Sequence, residues 1–195
     1  MLSLSIDISH LVNLDPFADL TKLTSFHVTV YNGLSVFPWQ FTYMTNLKDL
    51  RFQGLNCLSA LPQNFTRGVT YLDLYKKCFT EIPTPLLLSK TLTSIDMSYN
   101  QIADLSSLAL SRSPLGVVFL SFNQIQYIPP EIINLSDSLD YLDLYSNRLT
   151  TLPAEEMVKM KKLTDLDVSY NNINVTEKAR LGSIFAANPN ITVYF

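Results

Sequence analysis

Cysteine and histidine are scarce in this chain, at two residues each in 195, which leaves little material for a metal centre. Glycine is scarce too, at five residues, so neither a collagen-like repeat nor a flexible glycine-rich chain is encoded. No run of 18 or more apolar residues occurs, so no membrane-spanning helix lies within these residues, although a parent chain could carry one elsewhere. Basic residues number 14 against 17 acidic ones, a net charge of −3, and a generally basic nucleic-acid binder is excluded. The opening MLSLSIDISH has no basic n-region and places Asp7 and His10 where a signal peptide needs an apolar run. Catalytic signatures are missing as well: no phosphate-cradling G-x-x-x-x-G-K-S/T, no G-x-G-x-x-G, no H-E-x-x-H and no C-x-x-C. His27 with Ser25 and Asp49 is the one triad-like set, and it falls on an open strand face with no cleft to exclude water. No enzyme, no cofactor and no metal site is expected.

What the chain has is leucine, 32 residues of it, within a hydrophobic share of 47%. That is enough apolar material to bury a sizeable core and to exclude global disorder. The leucines recur. Aligned on L-x-x-L-x-L-x-x-N-x-L, the sequence resolves into nine starts, at Met1, Leu23, Leu47, Val69, Leu92, Leu115, Leu139, Leu163 and Asn188. The clearest copies are LTSIDMSYNQI from Leu92, LDYLDLYSNRL from Leu139 and LTDLDVSYNNI from Leu163. In Tyr141-Leu142-Asp143-Leu144-Tyr145 apolar and polar residues alternate with period two, so each copy opens with a short strand. A single such strand cannot bury its apolar side, but stacked copies form a parallel sheet over a shared core.

A polar residue follows each strand, usually asparagine: Asn32, Asn56, Asn100, Asn123, Asn147 and Asn171. Its amide can satisfy backbone groups in the turns of neighbouring coils. Ser9 and Lys77 stand in the equivalent places of the first and fourth repeats, and lysine, with no acceptor, is expected to weaken the ladder. Prolines then steer the chain to the opposite side, as in Phe37-Pro38, Leu61-Pro62, Ile82-Pro83, Ile128-Pro129 and Leu152-Pro153. Irregular coil and single helical turns are expected there. The longest helical candidate is TEKARLGSIFAA, with Thr176 as its N-cap.

This pattern resembles the leucine-rich repeat family over essentially the whole chain. The resemblance implies an α/β solenoid, a curved horseshoe with the parallel sheet on its concave face and short or irregular segments on the convex side. Residues 1–195 then form one domain, expected to be a fragment of a longer chain, because neither end carries the cysteine-rich caps frequent among extracellular members. For function the resemblance implies a protein- or peptide-binding module, the ligand-recognition ectodomain of a receptor-like protein or receptor kinase. The alternative is an intracellular scaffold or regulator that binds a signalling protein through the same face.

Allowing one extra residue in the repeats from Leu23 and Leu47, Cys57 and Cys78 fall in the same slot of adjacent coils. Lateral neighbours in a sheet lie within disulfide range. Two buried thiols would fill the slot equally well. Four N-x-S/T sequons occur, at Asn64, Asn134, Asn174 and Asn190, and with a disulfide they favour an extracellular or cell-surface location over a cytoplasmic one.

With repeat positions one, four and six buried, positions two, three, five, seven and eight line the concave face. Tyr71, Tyr75, Tyr99, Tyr141, Tyr145, Tyr170 and Tyr194 fall there, with Val117, Phe119 and Phe122. Eight aspartates share the face (Asp7, Asp49, Asp73, Asp96, Asp140, Asp143, Asp165 and Asp167) against Lys48, Arg51 and Lys76. A protein or peptide partner carrying positive charge is the expected ligand. The expected contacts are Tyr71, Tyr75, Asp96, Tyr99, Phe119, Phe122, Tyr141, Asp143, Tyr145, Asp167 and Tyr170, with the rings from Tyr99 to Tyr170 forming one strip. The same aspartate column, Asp73, Asp96, Asp143 and Asp167, reads as a habit of such strands rather than a cation site. Lys159, Lys161 and Lys162 beside Glu155 and Glu156 read as a solvated convex face.

Overall fold

The computed structural model describes residues 2–8, 19–30, 37, 39–54, 57–58, 60–62 and 68–195. Nine strands, β1 (Ser3–Ile8), β2 (Ser25–Val30), β3 (Asp49–Gln53), β4 (Tyr71–Asp73), β5 (Ser94–Asp96), β6 (Val117–Phe119), β7 (Tyr141–Asp143), β8 (Asp165–Asp167) and β9 (Thr192–Tyr194), follow one another in sequence order. They form one parallel sheet in which every strand pairs only with its sequence neighbours. Register is uniform: Leu50, Leu72, Ile95, Val118, Leu142, Leu166 and Val193 stand side by side. The first eight strands start two residues after the predicted repeat starts. The ninth lies two residues later than its spacing predicts, because the longest helix lengthens the eighth coil.

The core runs the length of the solenoid. Repeat positions one, four and six supply it, as with Leu139, Leu142 and Leu144, all fully buried. Toward the N-terminus aromatic rings replace leucine: Phe26, Phe37, Phe41 and Phe52 pack with centroids 5.3–6.4 Å apart in tilted and edge-on pairs. Bulky rings fill the same interlayer space there and pack edge to face, as their quadrupoles favour. On the convex side the helices are short, as expected: α1 (Thr84–Leu87), α2 (Ser106–Ala109) and α3 (Ala154–Met157), with 3-10 turns at Trp39–Tyr43 and Pro130–Leu135. Pro83 and Pro129 are N-caps and Pro153 another, so the prolines end the extended path and start the turn.

The one long helix, α4 (Val175–Phe185), is capped by Asn174 and not by Thr176: the Asn174 Oδ1 accepts from the Glu177 N–H at 2.9 Å. Asparagine two residues upstream already satisfies an orphan donor of the first turn, and Thr176 is left within the helix.

Asparagines hold the coils together. Asn123 Oδ1 accepts from the Ile102 N–H of the preceding coil at 2.9 Å, while its Nδ2 donates to Met97 O and Leu120 O at 3.0 Å each. Asn100, Asn147 and Asn171 repeat the arrangement. Asn32, Asn56 and Ser9 lie outside the described residues. At Lys77 the rung is rebuilt rather than lost: the fully buried lysine donates from Nζ to Gly54 O at 3.0 Å and sits 5.1 Å from the Phe52 ring centroid. Burial pushes its amine down to about 8.

Candidate functional site

The aspartates are bound into the turns that end the strands. In repeats four, five, seven and eight the position-five carboxylate accepts from the N–H two residues on: Asp73 from Tyr75, Asp96 from Ser98, Asp143 from Tyr145 and Asp167 from Ser169, at 2.8–2.9 Å. One oxygen of each carboxylate thus shapes the backbone. This gives the aspartate column a structural cause, and Phe119 interrupts it in the sixth repeat.

The residue just before each of these ladder positions, Lys77 or an asparagine, is left-handed: Lys76, Tyr99, Phe122, Ser146 and Tyr170 have φ of 53–58°. Such φ is uncommon for any residue with a Cβ. It persists because the N–H at this position bonds the next coil, as Tyr99 to Ser121 O and Phe122 to Tyr145 O, both at 2.9 Å. The turn throws the rings at positions seven and eight into one file along the strand ends. Tyr75, Tyr99, Phe122, Tyr145 and Tyr170 follow one another at centroid separations of 5.0, 4.1, 5.3 and 4.8 Å, Tyr99 stacked on Phe122 and the other pairs tilted.

The predicted single strip is therefore two features. Phe119 and Tyr141 do not join that file; they pair with each other, centroids 5.5 Å apart, in the middle of the sheet. The cause is position: Phe119 stands at position five, within the aspartate column, and Tyr141 at position three, whereas the ring file runs along positions seven and eight. Phe119, Tyr141 and Val117 are half-exposed.

Charge on the face is divided unevenly. Arg51 binds Asp49 through two hydrogen bonds, 3.1 and 3.2 Å, and lies 4.9 Å over the Tyr71 ring. Lys76 covers Tyr75 and Tyr99 at 5.2 and 4.9 Å. Among the described residues, Asp96, Asp143, Asp165 and Asp167 have no ion-pair partner. Burial holds the Asp96 and Asp143 carboxyls above the ordinary range, against the pull of their backbone donors. The Tyr71 phenol is pushed up to about 12, by burial first and then by Asp73 and Asp96. Tyr141 shifts the same way, by burial and then by Asp143, Asp167 and Asp165.

The triad-like set does not assemble. Ser25 is buried and donates to Asp49 at 3.4 Å, Asp49 is paired with Arg51, and the His27 Nε2 is buried with no hydrogen-bond partner. His27 is half-buried rather than out on an open face. Cys57 and Cys78 are joined in a disulfide with Cα atoms 5.0 Å apart. Asn134, Asn174 and Asn190 are exposed; Asn134 Nδ2 donates to Ala109 O at 3.3 Å. Asn64 lies outside the described residues. On the convex side Lys159 pairs with half-buried Glu156, and Lys161 pairs with Asp137 in the open. Among the described residues no helix is long and apolar enough to cross a membrane.

Residues 113–173 match the family described as leucine rich repeat, and residues 88–111 match a second family of the same description. The chain is a leucine-rich-repeat protein. Osteomodulin of Bos taurus is 29% identical to it over 157 residues, covering 80% of this chain and 32% of that protein. Lumican of Rattus norvegicus is 33% identical over 186 residues, covering 92% of this chain and 50% of that protein. The leucine-rich-repeat chain thus spans a third to a half of these relatives' length. Among solved structures, the plant peptide hormone receptor RGFR1 in complex with RGF2 superposes with a TM-score of 0.66 at 22% identity, over 98% of this chain and 34% of that one. That likeness shows the leucine-rich-repeat fold.

Proposed function

We propose that this leucine-rich-repeat module recognises a basic protein or peptide on its concave face, as the ligand-binding part of an extracellular or cell-surface receptor-like protein. One observation carries the reading. Half-exposed aromatic side chains and unpaired carboxylates share one side of a rigid nine-stranded sheet. Aromatic anchors supply contact area at low rotamer cost, and unpaired carboxylates steer a partner of opposite charge. The solved complex of RGFR1 with the peptide RGF2 is a precedent for a ligand on the same fold. The Cys57–Cys78 disulfide supports an oxidising compartment. Glycans at Asn174 and Asn190 and at Asn134 and Asn64 belong to the same reading.

Site-specific photo-crosslinking tests it. A crosslinkable residue replaces either Tyr99 on the concave side or exposed Glu131 on the convex side, and the protein is incubated with conditioned medium or with cytosolic extract. A basic secreted protein captured from position 99 and not from 131 is the expected outcome. Capture from 131 alone places recognition on the convex side, and capture from cytosolic extract alone favours the intracellular scaffold.

A further inference from the structure

The concave face contains two related aromatic–carboxylate sites, one filled by a cation of the chain and one open. In the filled copy Tyr71 stands at position three of its repeat, and position five of the preceding repeat is Arg51. The guanidinium lies 4.9 Å over the Tyr71 ring and binds Asp49, and Asp73 and Asp96 stand near enough to act on the phenol. Three repeats on, Tyr141 occupies the same position three. Position five of its preceding repeat is Phe119, which adds a second aromatic wall 5.5 Å away, and among the described residues no cation lies over the ring. Three carboxylates act on this phenol too: Asp143 and Asp167 stand where Asp73 and Asp96 do, while Val117 takes the place of Asp49 and Asp165 supplies the third from the following strand.

The oxygens around this open copy are only partly used. Asp143 and Asp167 each accept one backbone N–H, Asp143 also accepts from the Ser121 hydroxyl, and Asp165 accepts from the Thr164 and Tyr194 hydroxyls. All of these donors are neutral. Among the described residues no lysine or arginine pairs with any of the three. Half-buried carboxylates with neutral donors alone leave a charge deficit that a desolvated cation would relieve.

Resting on the proposed concave-face function, we propose that an arginine of the partner fills this open copy. Its guanidinium would lie over Tyr141 against Phe119 and pair with Asp143 and Asp165, taking the part that Arg51 plays at Tyr71. Arginine fits better than lysine, because a planar guanidinium stacks on a ring face and keeps its N–H groups free for in-plane carboxylates. The chain already shows this combination at Arg51.

Nuclear magnetic resonance of the labelled protein tests the assignment with N-acetylarginine amide as probe and its neutral isostere N-acetylcitrulline amide as control. The arginine probe should give saturable shifts at the Tyr141 ring and the Asp143 and Asp165 carboxyls, and the citrulline probe none. Tyr141→Ala should weaken the response about tenfold, and Tyr141→Phe, which keeps the ring, should restore it. Arg51→Gln empties the filled copy, so a second saturable response should appear at Tyr71. Equal shifts from citrulline, an unchanged affinity in Tyr141→Ala, or silence at Tyr71 in Arg51→Gln would each overturn the slot. Such a failure leaves the broader concave-face reading untouched, since crosslinking from position 99 decides that separately.

Discussion

Replacing Asn123 by alanine removes one rung from the middle of the solenoid. Asn123 is buried, and its amide makes three bonds of 2.9–3.0 Å, to Ile102 N, Met97 O and Leu120 O, plus a longer one to Ser121 O. An intramolecular hydrogen bond contributes about 1 kcal/mol net, and a buried group left unpaired costs about 1–3 kcal/mol. With three backbone groups stranded in two coils, Asn123→Ala should cost about 3–5 kcal/mol. Asn171 makes the same bonds to Leu149 N, Leu144 O and Val168 O from a half-exposed position. Water can replace its amide there, so Asn171→Ala should cost about 1–2 kcal/mol. Urea unfolding followed by circular dichroism reads both as shifts in midpoint at constant m-value. The ranking is the sharper test. If Asn123→Ala costs no more than Asn171→Ala, or no more than alanine at exposed Asn172, the bonding of neighbouring coils through asparagine is refuted.

Cys57→Ser with Cys78→Ser opens a loop closed across 21 residues of sequence, which should cost about 3 kcal/mol in a thermal melt, the same loss that a reductant causes in the wild type. Lys77 has its pKa lowered by burial from 10.5 to about 8, so the unfolded chain binds the extra proton between those values and stability should rise with pH across that window. Lys77→Met should lack that rise in denaturant midpoints measured from pH 7 to 11. Asp143 has its pKa raised by burial, so the native state takes up its proton first and the penalty fades as pH falls toward the ordinary carboxylate value. Asp143→Asn, which keeps the acceptor for the Tyr145 N–H, should therefore be more stable than the wild type at pH 7, with the gap closing in acid.

The coil spacing was legible because positions one, four and six must all be apolar for a strand such as Tyr141–Asp143 to bury its inner side. The turns were less so. A period-two pattern places Phe119 and Tyr99 on one face but carries no information about φ, and the left-handed residue before each asparagine is what sends Tyr99 into a separate ring file. The aspartate column was visible as a column, yet its bond to the N–H two residues on depends on the turn that follows the strand. Lys77 broke the amide pattern and looked like a weak rung. Its long side chain reaches the Gly54 carbonyl, which an asparagine count cannot show. The cap of α4 was missed because Asn174 and Thr176 are both good capping residues two positions apart, and the choice rests on where the preceding turn aims the chain. What could not be read at all was the repetition of the Arg51–Tyr71 contact as an open site at Tyr141, since it joins residues of adjacent coils 20 and 22 positions apart.

Association kinetics with the partner captured from position 99 test the charged concave face most directly. The variant carries Asp143→Asn, Asp165→Asn and Asp167→Asn together, keeping the side-chain oxygens that bond the turns while removing three of the unpaired charges. Measured at low and high salt, its on-rate should fall by about tenfold or more at low salt and lose most of its salt dependence. An on-rate and salt dependence equal to those of the wild type would contradict recognition of a basic partner by this face.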